Sequence, residues 1–135
     1  MIDILVILQC AYGKTRRRRK QLKKRRLWLK GLWRSHTGKR LNGMLPIKYN
    51  VRVINSTPEI GESVSACFEP DKEYIQKEIE DSAPRVILAC GKIAQEGIKE
   101  VDDIPVIYAP HPAWRALTNE KIDEVRSKII EVLGD

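Results

Sequence analysis

Two strand-length apolar runs joined through a glycine and a short helix-forming segment constrain this chain more than any other feature. Arg85-Val86-Ile87-Leu88-Ala89-Cys90 is followed by Gly91, and Lys92 to Ile98 then opens as a helix. The glycine therefore stands where a buried strand meets a helix N-terminus. A second apolar run, Ile104 to Ala109, ends in Pro110-His111-Pro112-Ala113-Trp114-Arg115. Such a unit places that loop at the carboxyl edge of a parallel sheet, where open α/β sheets bind their ligands. Each proline ring fixes its own φ and biases the preceding residue toward extended backbone, so His111 sits on stiff chain suited to aiming one imidazole.

The remaining elements extend the same pattern. Ile2 to Gln9 is apolar almost throughout, as a central parallel strand buried on both faces should be, and Cys10 to Gly13 is expected as the turn at its end. Val51-Arg52-Val53-Ile54-Asn55 reads as a second strand with Asn55 at its carboxyl end, and Ser56 to Phe68 as a long loop rich in Ser, Gly and Pro. Glu69-Pro70-Asp71 opens a helix over Lys72 to Asp81, stopped by Pro84. The last helix spans Asn119 to Leu133, with Asn119 as N-cap, Ile122, Val125, Ile129, Ile130 and Leu133 on one face, and Gly134 at its end. Ser35 to Gly38 marks a turn, and Lys39 to Leu45 a short helix before Pro46. Alternating strands and helices predict an α/β fold: a three-layer α/β/α domain over residues 1–135 with a central, mainly parallel four-stranded sheet.

Charge divides the chain in two. The first 58 residues hold 16 Lys and Arg against one acid, and the remainder 9 against 17. No Asp or Glu occurs between Ile4 and Pro58, where Lys14, Arg16, Arg17, Arg18, Arg19 and Lys20 form the densest cluster. This asymmetry is the footprint of a face that meets a polyanion. The basic insertion, at about residues 14–34, is expected as a helix beginning near Arg19, with Leu22, Leu27, Trp28 and Leu32 as its apolar stripe, the alternative being a loop ordered only on DNA. No apolar run is long enough to cross a bilayer, and Ile4 to Leu8, preceded by Asp3, reads as a strand rather than a secretion signal. Three cysteines, Cys10, Cys67 and Cys90, without CxxC spacing argue against a disulfide frame or metal centre, so no cofactor or metal is expected, and the reducing cytoplasm is the expected compartment.

With these positions in place, the order of motifs resembles the uracil-DNA glycosylase superfamily over nearly the whole chain. Gln9-Cys10-Ala11-Tyr12-Gly13 stands where that superfamily carries a GQDPY- or GEAPG-type motif, and Leu32 to Leu41 resembles its PFVGRAGxLL segment. Val51 to Asn55 matches the strand whose terminal asparagine reads the base, Val86 to Gln95 the strand-glycine-helix segment, and His111-Pro112-Ala113 the HPS-type loop. The resemblance implies a monomeric enzyme that extrudes a nucleotide from single- or double-stranded DNA and hydrolyses its N-glycosidic bond. It implies His111 as donor to the carbonyl oxygen of the departing base, Gln9 or Cys10 in the first catalytic position, and Asn55, Trp33 and Tyr12 around the base. Lys14, Arg16, Arg17, Arg18 and Arg19 would hold phosphates, Trp114 or Leu117 would act as a wedge, and Arg115 would clasp a flanking phosphate.

The chain departs from the superfamily at one chemically important place: where active members carry Asp or Glu in the first motif, it has Gln9 or Cys10. Glu59 and Glu62, just after Asn55, are the alternative acids. Duller roles stand beside these: His111 and Asn55 as turn formers, Trp28 and Trp33 as core anchors, Cys10 and Cys90 as small buried hydrophobes. Two further functions compete with base excision. One is a glycosylase-fold module that binds DNA or RNA without catalysis; the other is an enzyme of free nucleotides, which the basic half disfavours.

Overall fold

The computed structural model describes residues 1–63, 68–98 and 103–134. Part of the expected loop from Ser56 to Phe68, including Cys67, lies outside the described residues. In chain order the elements are β1 (Ile4–Leu8), β2 (Ala11–Tyr12), α1 (Arg16–Leu22), α2 (Arg25–Arg34), α3 (His36–Met44) and β3 (Val51–Asn55). There follow β4 (Ile60–Gly61), α4 (Lys72–Ser82), β5 (Val86–Cys90), α5 (Lys92–Gly97), β6 (Val106–Ala109) and α6 (Asn119–Leu133).

The main sheet has four strands in the order β3-β1-β5-β6, every pair parallel. β1 and β5 are central, and all five residues of each are buried, which is why both read as unbroken apolar runs. β6 lies at an edge and alternates, leaving Tyr108 exposed. Side chains alternate between two cores. Val6, Leu8, Leu88 and Cys90 pack with α3 and α6 on one face, while Leu5, Ile7, Ile87 and Ala89 pack with α4 and α5 on the other. The result is a central parallel sheet between two helical layers. Because the chain leaves β1 toward β3 and leaves β5 toward β6, the connections diverge between β1 and β5 at their carboxyl ends, and this divergence opens a crevice.

Several local expectations need correction. The basic segment is two helices broken at Lys23 and Lys24, and the first starts at Arg16 rather than near Arg19, because the Thr15 side chain accepts from the Arg18 N–H. Ser35 to Gly38 is not a free turn: Ser35 caps α3, accepting from Gly38 N at 3.0 Å and donating to Leu32 O at 2.6 Å. Glycine is required at 38, where a Cβ would stand 1.9 Å from Leu32 O. Thr118, not Asn119, caps α6, its hydroxyl accepting from Lys121 N. The segments expected as a turn and a loop after β1 and β3 are pinned together, since β2 pairs in parallel with β4.

Candidate ligand cavity at the carboxyl edge of the sheet

A cavity of about 350 Å³ lies at the diverging strand ends, within the range of small-molecule sites. Its floor comes from the strands: Leu8 ends β1 and Cys10 follows it, Asn55 ends β3, and His111 follows β6. Its roof is the basic insertion, which contributes Arg18 and Leu22 from α1 and Trp28 and Leu32 from α2, with Ser35 at the corner before α3 and Thr37 in the first turn of α3. Tyr12 stands at the mouth, 45% exposed.

His111 is held by its own loop. Its Nδ1 accepts from Ala113 N at 3.0 Å and its carbonyl accepts from Trp114 N at 2.9 Å, closing a tight turn. An accepting Nδ1 is unprotonated, which leaves the proton on Nε2 as a donor. Burial lowers the imidazole pKa from its ordinary 6.5, favouring this neutral tautomer. The glycine that organises the sequence now has a spatial reason: Gly91 has φ +87°, and a Cβ on it would lie 3.2 Å from the His111 Cβ. On the other side of the loop, Arg40 donates from Nη1 to Trp114 O at 2.9 Å and from Nη2 to Leu117 O at 2.6 Å. Arg40 thus ties the histidine loop to α3, a role its place in a run of cations did not reveal.

Asn55 is fixed by its neighbour. Ser56 is fully buried, its Oγ donating to Leu8 O at 2.5 Å, and its carbonyl accepts from Asp71 N at 2.8 Å. These bonds lock the end of β3 against the end of β1. The Asn55 carboxamide itself forms no hydrogen bond among the described residues, leaving a donor and an acceptor for a ligand.

Of the residues named from sequence for catalysis or base contact, His111, Cys10, Asn55 and Tyr12 line this cavity, whereas Gln9 and Trp33 do not. Trp33 projects outward and is 37% exposed. Five helical residues rotate a side chain to nearly the opposite face, so the wall position falls to Trp28, which shares its stripe with Leu32. Among the described residues no Asp or Glu lines this cavity. Glu59 instead lines an adjoining cavity of about 250 Å³ that shares Ala11, Leu22, Trp28 and Asn55 with the first. Glu62 is largely exposed, 3.9 Å from Arg19. Cys90 is buried, and that burial pushes its thiol pKa up to about 12, which makes it an inert core residue.

The cations of the insertion fall into two groups. Arg19 donates to Gly13 O at 2.9 Å, and Arg25 donates to Val53 O at 2.6 Å while its guanidinium lies 5.7 Å from the Trp28 ring centroid. Burial, followed by the charge of Arg52, lowers the Arg25 pKa, so this guanidinium is part of the structure. Lys14, Arg16, Arg17, Lys20, Lys23, Lys24, Arg26, Lys30 and Arg34 are exposed and have no acidic partner among the described residues. Arg18 spans both groups, lining the cavity with its Nη1 3.4 Å from Gln21 Oε1. Trp114 and Arg115 are exposed on the histidine loop.

Among the described residues no helix is long and apolar enough to cross a membrane, and no three His, Cys, Asp or Glu side chains gather as a metal site. No protein-family model matches the chain, and no curated protein matches it.

Proposed function

We propose that the cavity receives a nucleobase extruded from DNA and that the protein removes uracil or a related altered base by hydrolysing its N-glycosidic bond. The observation that carries this reading is that Asn55 and His111, drawn from opposite edges of the sheet, line one cavity roofed by a helix pair dense in exposed cations, most of them without an acidic partner among the described residues. A carboxamide pairs with the donor and acceptor edge of a pyrimidine, and Trp28 and Tyr12 offer aromatic surface for its ring. As the bond from the base nitrogen to C1′ breaks, its electron pair goes to the base, and charge collects on the carbonyl oxygen. The Nε2–H of neutral His111 is a preorganised donor for that charge. Water adds to C1′ of the sugar and gives up a proton. With no acid in the lining, Glu59 in the adjoining cavity is the carboxylate assigned to accept it.

The absence of an acid from the lining supports a second reading, a module that grips DNA or RNA and inserts a base without cleaving it. Base release from a uracil-containing oligonucleotide separates the two. Hydrolysis by the wild type that is lost in His111→Ala and Asn55→Ala, and strongly reduced in Glu59→Gln, supports excision. Intact product-free binding by every variant supports the module, and no binding at all removes both.

A further inference from the structure

We infer that a second groove, meeting the base cavity at His111, receives the nucleotide adjacent to the extruded one on the same strand. This rests on the proposed use of the first cavity. The groove has a volume of about 490 Å³ and is walled by Tyr108 and Trp114, with Lys92, Gln95 and Lys121 around them and His111 as the partition between the two sites.

Both aromatic residues are 53% exposed, and the fold explains why. Tyr108 sits on the edge strand β6, where its side chain faces Lys92, Gln95 and Glu96 of α5 across a hollow, and Trp114 is carried out by the turn that shapes His111. Neither ring is spent on a core, so both offer a face to a planar ligand. The polar complement selects the kind of ligand. Among the described residues no carboxylate lines the groove itself, Glu96 lying in an adjoining hollow that shares Lys92, Gln95 and Tyr108 with it; Lys92 has no acidic partner among the described residues, and Lys121 has a surface pair with Glu124 at 3.4 Å that a phosphate can replace. Stacking faces beside ammonium groups, continuous with the cation-rimmed cavity, fit a nucleobase and its phosphate better than an apolar peptide or a second copy of the chain.

The test is affinity for two fluorescein-labelled single-stranded oligonucleotides, each with a central 2′-fluoro-deoxyuridine. In one the central residue is flanked by thymidines, and in the other by abasic spacers. Trp114→Ala and Tyr108→Ala should each weaken the thymidine-flanked oligonucleotide about tenfold more than the abasic-flanked one, while Trp114→Phe retains most of the affinity. Equal losses on both oligonucleotides, or no loss, overturn the proposal. So does a wild-type dimer that Trp114→Ala converts to monomer, since the groove is then occupied by a second copy. If Asn55→Ala leaves both affinities unchanged while Trp114→Ala shows the selective loss, the base-cavity reading falls and the groove stands.

Discussion

Asn55 and His111 reach one cavity from opposite edges of the sheet, Asn55 at the end of β3 and His111 just beyond β6, with β1 and β5 lying between them. Three strand spacings separate those edges by about 14 Å, so neither residue closes the site alone. The gap is bridged by the chain after β1 and roofed by α1 and α2, which makes the basic insertion a wall of the cavity as well as a cationic surface.

The protonation state of His111 gives the first prediction. Its folded pKa is below the ordinary 6.5 because burial disfavours the charged ring, so folding favours the neutral form. The associated stability is complete above the unfolded value and is lost as pH falls from there toward the folded one. Nitrogen-detected NMR should show an Nε2-protonated neutral ring that titrates below 6.5. Urea unfolding between about pH 5 and about pH 7 should be less pH-dependent in His111→Gln than in the wild type. A ring already charged at neutral pH contradicts the donor role assigned to it.

Gly91→Ala should do more than strain one residue. A positive φ of 87° disfavours any Cβ, and this one meets the His111 Cβ at 3.2 Å. A loss of about 1–2 kcal/mol in denaturant unfolding is expected. The Ala113 amide resonance should move as well, since its N–H is bonded to the displaced imidazole.

Arg40→Ala removes both guanidinium bonds to the loop carbonyls of Trp114 and Leu117. The expected cost is about 1–3 kcal/mol, with faster amide exchange across residues 111–117 and little change in β1 or β5. Lysine at 40 keeps the charge but not the forked geometry, so Arg40→Lys should recover only part of the loss.

Gly38→Ala should be more damaging, because a Cβ there stands 1.9 Å from Leu32 O and forces α2 away from α3. A loss above about 2 kcal/mol and a lower thermal midpoint are expected.

Under the proposed function, affinity for DNA should fall steeply with salt. Replacing Arg16, Arg17 and Lys20, which are exposed and have no acidic partner among the described residues, with alanine should reduce the magnitude of the log K against log salt slope by about 2 on single strands. Unchanged slopes would mean that these side chains meet no phosphate.

Much of the frame was legible beforehand. Val51–Asn55 and Val86–Cys90 are strands with the carboxyl ends the sequence predicts: Val86–Cys90 is central and buried throughout, which leaves no room for a polar residue, while Val51–Asn55 is an edge strand that keeps β-branched residues and admits the partly exposed Arg52. The α4, α5 and α6 helices stand close to their expected ranges because prolines and glycines punctuate them. Less legible were the helix starts at Thr15, Ser35 and Thr118, where a single hydroxyl decides between a turn and a cap. Trp33 and Trp28 were indistinguishable by composition, and only the face each takes on α2 separates them.

By itself the sequence determined the four strands of the main sheet and the helices α4, α5 and α6, the stiffness of the Pro-His-Pro loop and the division of charge, because burial, proline geometry and Coulomb repulsion act on near neighbours in the chain. Tertiary structure alone decided the strand order, and with it the meeting of Asn55 and His111 in one cavity. It also decided that Arg40 would clamp carbonyls 74 and 77 positions away, since contacts between distant segments depend on how the layers pack and leave no periodic trace in the chain.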